Sequence, residues 1–111
     1  MVVTAFQVEV DRSDGHVALR MRGDLTGAGR EAMERAYSEA DVATVVLDFT
    51  DVGYINSTGI AVVVGVLARA RADARDVRAF GLDEHYRKIF QITRIADFMA
   101  IYDDETTAVA S

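Results

Sequence analysis

Cysteine, proline and tryptophan are absent from the 111 residues, and histidine occurs only twice. Without cysteine there is no disulfide framework, no thiolate nucleophile and no sulfur-ligated metal, a usage compatible with a reducing compartment. His16 and His85 stand far apart, one in a strand-like pattern and one at an acidic helix start, so neither a metal site nor a catalytic triad finds support. The Gly-x-Ser-x-Gly elbow of a hydrolase is missing, and Asp103-Asp104-Glu105 lacks the alternating ligand spacing of a calcium loop. No enzyme activity, cofactor or metal is expected. The opening residues carry no basic segment leading into an apolar core, so no secretory signal is evident and the cytoplasm is the expected location. The longest uninterrupted apolar run, Ile60 to Ala68 counting Gly65, falls well short of the roughly 20 residues that span a bilayer as a helix. Positive charge is scarce as well, with 12 Lys and Arg against 18 Asp and Glu and a formal net charge of -6. That balance repels phosphate backbones and anionic lipid surfaces, so neither nucleic acid nor membrane is an expected partner.

Half of the residues are hydrophobic and 27% are charged, the balance of a folding globular chain, and the length suits one domain over residues 1–111. Phe6, Val8 and Val10 alternate with polar residues, Asp14-Gly15 makes a turn, and Val17, Leu19 and Met21 alternate again, which predicts an antiparallel hairpin. Gly23 to Gly27 breaks the alternation, and Ala28 to Ala40 reads as a helix capped by Thr26, with Met33, Ala36, Tyr37 and Ala40 on its buried face. Thr44 to Phe49 is a β-branched run of the kind a central strand needs, followed by a loop over Thr50 to Gly53. Asp76 to Gly81 and Phe98 to Tyr102 read as strands, Asp83 to Thr93 as an amphipathic helix burying Tyr86, Ile89 and Phe90, and Glu105 to Ala110 as a terminal helix. Strands alternating with helices imply an α/β layer fold: a mixed sheet of about four to five strands, parallel with an antiparallel edge, and helices packed on it.

The segment Ser57 to Ala72 is rich in valine, which favours a strand on propensity alone. Ile60, Val63, Val64 and Leu67 nevertheless fall at helical spacing, and the run continues without a turn into Ala68-Arg69-Ala70-Arg71-Ala72. A helix capped by Asn56, Ser57 or Thr58 follows. On this reading Ile60 heads the buried stripe, and Ala61, Val62 and Val66 form an apolar side with no evident core to cover, a candidate contact surface.

Val45 to Ala61, VVLDFTDVGYINSTGIA, resembles the signature of the STAS domain, in particular that of the bacterial anti-sigma factor antagonists. In that family a strand ending in aspartate leads through a short loop to Asp-Ser-Ser/Thr-Gly-Leu-Gly at a helix start. Gly23-Asp24-Leu25 is similar to the family's Gly-Glu-Leu, and Arg87-Lys88-Ile89-Phe90-Gln91-Ile92-Thr93 to its later helix, so the likeness covers nearly the whole chain. The resemblance implies partner switching that regulates transcription: an unmodified antagonist binds an anti-sigma factor that is also a serine kinase, phosphorylation ends the binding, and a serine phosphatase restores it. A weak homodimer is the other association considered. Matched residue by residue, Ser57 becomes the phosphoacceptor, and Asp24, Asn56, Thr58, Gly59, Ile60 and Val62 join it as partner-binding positions, with Gly59 allowing close approach of a partner backbone. Asn56 stands where the family usually has an acid, and Thr26 follows Gly23-Asp24-Leu25 where another acid is usual. The alternative is a STAS module without serine phosphorylation that scaffolds a complex or serves as the cytoplasmic subunit of a lipid or solute transporter. Asp48, at a strand end, invites comparison with the phosphoacceptor of response-regulator receivers. The acidic pair and late lysine of that chemistry are missing, and Asp48 is expected instead to hold amides near the motif.

Overall fold

The computed structural model describes residues 5–110. The first four positions of the segment read as lacking a signal lie outside that range. In chain order the elements are β1 (Gln7–Ser13), β2 (His16–Leu25), a 3-10 turn (Gly27–Gly29), α1 (Arg30–Ala40), β3 (Thr44–Ile55), α2 (Ser57–Ala72), β4 (Asp76–Phe80), α3 (Glu84–Ile92), a second 3-10 turn (Ile95–Asp97), β5 (Ala100–Tyr102) and α4 (Glu105–Ala110).

The five strands form one sheet in sequence order, β1-β2-β3-β4-β5. The β1-β2 hairpin is antiparallel and each later neighbour is parallel. This is the α/β mixed sheet that the pattern predicts. Odd-numbered residues of the central strands, among them Leu19, Leu47, Phe49 and Ala79, share one core with α1, α2 and α3. The even-numbered face is covered by α4, whose Ala108 packs with Val46 and Phe80. Burial on both faces explains the unbroken apolar run at the start of β3, where Val45, Val46 and Leu47 are all fully buried. Phe49 meets Phe90 of α3 edge to face, with ring centroids 5.9 Å apart.

Four boundaries differ from the sequence reading. β5 starts at Ala100 instead of Phe98, which follows the second 3-10 turn and is exposed. β2 does not stop at Met21: Gly23 takes a φ of 91°, the pairing register slips on either side of it, and the strand resumes through Leu25. β3 runs through the expected loop, because Asp51, Val52, Tyr54 and Ile55 still pair with Arg22 to Leu25 after the neighbouring β4 has ended at Phe80. Thr26 caps the 3-10 turn, accepting from the Ala28 amide, and α1 itself begins at Arg30, behind Gly29 and two residues later than expected.

The largest difference concerns α2. Its buried side is Gly59, Val62, Val63, Val66, Leu67 and Ala70, whereas Val64 is 46% exposed and Ile60 only half-buried. The inward stripe is therefore rotated from the predicted one, and Val62 and Val66, at 3% and 4% exposure, belong to the core. The partner-binding assignment of Val62 is corrected accordingly, since its side chain is not available to another molecule. The side of α2 that faces outward carries Ser57, Ala61, Val64, Gly65 and Ala68.

Candidate functional site

β3 hands the chain directly to α2 at the carboxyl end of the parallel strands, where α/β folds commonly carry their sites. The junction is held from two sides. The Ile55 amide donates to the buried Tyr86 hydroxyl of α3 at 2.9 Å, and the Asn56 amide donates to the Leu25 carbonyl at 3.3 Å. Asn56 is extended and serves as the N-cap, its side-chain oxygen accepting from the Gly59 amide at 2.8 Å. The same oxygen accepts from the Thr58 hydroxyl at 2.7 Å, and the Thr58 oxygen accepts from the Gly27 amide at 2.8 Å. A short relay thus pins the start of α2 to the turn after β2.

Ser57 stands in the middle of this relay and takes no part in it. It is exposed, it is the first residue of α2, and its hydroxyl makes no hydrogen bond to any described residue. The first turn of α2 contains no acidic side chain, and Arg69 and Arg71 lie in its last turn. Ser57 therefore sits at the positive end of a 16-residue helix beside first-turn amides with no acceptor in the helix itself.

The other predicted positions separate. Asn56 is half-buried and Thr58 exposed, with the polar groups of both engaged inward. Gly59 is buried, and the backbone it approaches is this chain's own: a Cβ there would overlap the Leu25 carbonyl. Its expected role in admitting a partner's backbone is corrected to that of seating α2 on β2. Ile60 is half-buried and packs partly on the core. Asp24 lies near the end of β2, half-buried and paired in register with Tyr54. Tyr54, three residues before Ser57 and 49% exposed, is a surface residue that the sequence reading did not assign. Simple alternation could not have found it, because Phe49, Val52 and Ile55 pack on the core at a spacing of three.

Asp48 does hold an amide, accepting from Thr50 at 2.9 Å, but its other oxygen faces α4. There Arg20 binds Asp48 at 3.0 Å, Asp11 at 2.8 Å and Glu105 at 2.8 Å. These three carboxylates drive the guanidinium pKa still higher, the Glu105 hydrogen bond contributing most. Among the described residues no cluster of His, Asp or Glu is placed to hold a metal ion, and no helix is long and apolar enough to cross a membrane.

This geometry can be set beside known proteins. The anti-sigma-B factor antagonist of Listeria monocytogenes is 27% identical over 99 residues, 86% of each chain. An anti-sigma factor antagonist from Mycobacterium paratuberculosis superposes with a TM-score of 0.80 at 14% identity, over 96% of this chain and 92% of that one. The Bacillus cell fate determinant SpoIIAA in its phosphorylated form superposes with a TM-score of 0.68 at 24% identity, over 96% and 97% of the two chains. A family model described as Mlab, STAS domain matches residues 8–101, from β1 into β5. The strand order, the helix start at Ser57 and this match together place the chain in the STAS domain family.

Proposed function

We propose that the protein is an anti-sigma factor antagonist acting in the cytoplasm as a non-enzymatic binding protein, whose partner is an anti-sigma factor with serine kinase activity and whose switch is phosphorylation of Ser57. One observation carries the reading: of the three small polar residues at the head of α2, Asn56 and Thr58 are committed to internal hydrogen bonds and Ser57 alone presents an unbonded hydroxyl. The names of the Listeria and Mycobacterium relatives support the antagonist role, and the phosphorylated form of SpoIIAA supports a phosphate on this fold.

The physical consequence of a phosphate differs between the free and the bound protein. In the free chain, about -1.5 to -2 of charge is placed at a helix N-terminus, where amides and the macrodipole favour it. In a complex that covers Ser57 and the adjoining Ala61, the same charge has to be desolvated, at a cost of several kcal/mol unless a cation meets it. A loss of about 3 kcal/mol lowers affinity by more than about a hundredfold. A serine phosphatase would restore binding, and Asp24 and Thr58 lie within the surface so gated.

The test uses the wild-type chain, Ser57→Ala and Ser57→Glu as parallel baits in extract of the native organism. A kinase-type ATPase retained by the first two and lost by the third, together with phosphate mapped to Ser57 after incubation with ATP, is the expected result. Retention of one set of partners by all three overturns it. Asn56, neutral where the family usually has an acid, favours a second reading: a STAS scaffold or transporter-associated subunit that binds through the same end without phosphorylation.

A further inference from the structure

Away from Ser57, the outer side of α2 forms one wall of an open groove of about 320 Å³. Val64, Ala68 and Arg71 line it from α2, and Arg94 and Phe98 line it from the segment between α3 and β5. Four large apolar side chains stand out to solvent among the described residues, and two of them, Val64 at 46% and Phe98 at 58%, line this groove. A third, Ile92 at 72%, adjoins the lining residue Thr93. Such clustering of apolar surface marks an interaction site more often than scattered exposure does.

The charge of the groove points to its occupant. Among the described residues its only charged lining side chains are Arg71 and Arg94, in a chain whose net charge is -6. Arg71 lies over the Phe98 ring, 5.6 Å from the centroid, and forms no ion pair with a described residue; Arg94 is tied to Asp97 at 2.8 Å. A second copy related by a two-fold axis would bring the arginine rims together, which the charges oppose. A flat anionic membrane meets a concave surface on a chain of the same sign as itself.

We infer that this groove is a docking site for an acidic amphipathic helix of a partner protein, its apolar residues seated between Val64 and Phe98 and its carboxylates against Arg71 and Arg94. Recognition is of the helix-in-groove kind, read through anchors at i, i+3 or i+4, and i+7. Val64 and Arg71 are 7 and 14 residues beyond Ser57 in the same helix, about 10 Å and about 21 Å along its axis, so the groove begins two turns away from Ser57 and can be filled whether or not the other end is engaged.

The experiment uses two stapled helical peptides with identical leucine and phenylalanine anchors, one flanked by glutamate and one by lysine. Each is titrated into the isotope-labelled chain and followed by amide chemical shifts. The glutamate peptide is expected to bind, with shifts confined to the surroundings of Val64, Arg71 and Phe98, and Phe98→Ala should weaken it about tenfold. The double variant Arg71→Glu, Arg94→Glu should transfer the preference to the lysine peptide, a gain that misfolding cannot mimic. Equal binding of both peptides, or of neither, overturns the proposal. So does self-association mapped to the groove by sedimentation, or binding through Phe98 to phosphatidylglycerol vesicles in preference to the peptide.

Discussion

The carbonyl of Leu25, the last residue of β2, lies against Gly59 in the first turn of α2, so closely that a methyl group on Gly59 would overlap the oxygen and come within 2.7 Å of the carbonyl carbon. Neither partner is a flexible side-chain tip, so the helix start must move if the space is filled. Gly59→Ala should therefore destabilise the fold by about 1–3 kcal/mol. Gly65 lies on the outer side of the same helix with nothing near its added methyl, so Gly65→Ala should stabilise by about 0.5–1 kcal/mol. Urea denaturation reads both as opposite shifts of midpoint at constant slope. Equal shifts would remove the seating role assigned to Gly59.

Asn56 satisfies a helix amide and the Thr58 hydroxyl with one oxygen. Asn56→Ala removes both and should cost about 1 kcal/mol. Asn56→Asp keeps the acceptor and adds a negative charge at the positive helix end, worth about 0.3–1 kcal/mol in the stabilising direction. An acid at this position is thus expected to carry no loss of stability. Midpoints ordered Asp above Asn above Ala are expected; Asp below Ala would show that another negative group governs the site.

Arg20 holds α4 to the sheet through a two-pronged contact with Glu105, at 3.1 and 2.8 Å, while also meeting Asp11 and Asp48. Replacing it by methionine leaves Asp48, whose side chain is 13% exposed, without its cation. The guanidinium is itself about one-third exposed, so solvent screens part of the loss and about 2 kcal/mol is expected. Arg20→Lys should recover little of it, because an ammonium cannot reproduce the fork. Hydrogen exchange of the α4 amides should rise in both variants, and protection unchanged from wild type would show that Arg78, which donates to the Ala108 carbonyl, suffices alone.

The hairpin and the inward residues of α1 and α3 could be read from periodicity because each has one face in the core, and the start of β3 from an unbroken apolar run because both its faces are covered. Tyr86 and Phe90 are buried as their spacing requires. α2 could not be oriented this way. Its valines occur all round the first turns, so no stripe dominates, and the true inward side is set by the fit of Gly59 on β2, a contact between residues 34 positions apart. The far end of β3 looks like a loop for a related reason: Thr50 to Gly53 is polar enough to look unpaired, and its partner is a strand kinked at Gly23. The motif itself was legible, yet which of its side chains points outward depends on the Gly27 amide, supplied by a distant turn.

Tyr37 is almost wholly buried in α1, donates to Asp73 at 2.9 Å, and lies beneath the guanidinium groups of Arg69 and Arg75 at 5.0 and 4.7 Å from its ring centroid. Burial, and then the hydrogen bond to Asp73, raise the phenol pKa. A raised folded-state value means that the contribution is complete below the unfolded value of about 10 and is lost as pH rises through the folded one. Tyr37→Phe should cost about 1 kcal/mol at neutral pH and flatten the alkaline fall in stability. Denaturation midpoints from neutral pH to above 10, with tyrosinate absorbance as a second readout, decide the matter; identical alkaline slopes would exclude Tyr37 as their origin.

Ser57→Glu separates folding from recognition. Because the Ser57 side chain has no hydrogen-bond partner among the described residues, its replacement breaks no bond to them, and a carboxylate in the first turn of α2 should leave stability unchanged or raise it by about 0.3–1 kcal/mol. Val62→Ala should do the reverse: it hollows the core beneath the same turn at a cost of about 1–3 kcal/mol while leaving the outward surface in place. Affinity for an isolated anti-sigma factor, measured by calorimetry well below both unfolding transitions, should then fall by more than about a hundredfold for Ser57→Glu and by little for Val62→Ala. If instead affinity follows stability across the pair, the partner reads the integrity of the fold, and the exposed hydroxyl of Ser57 is not the gate.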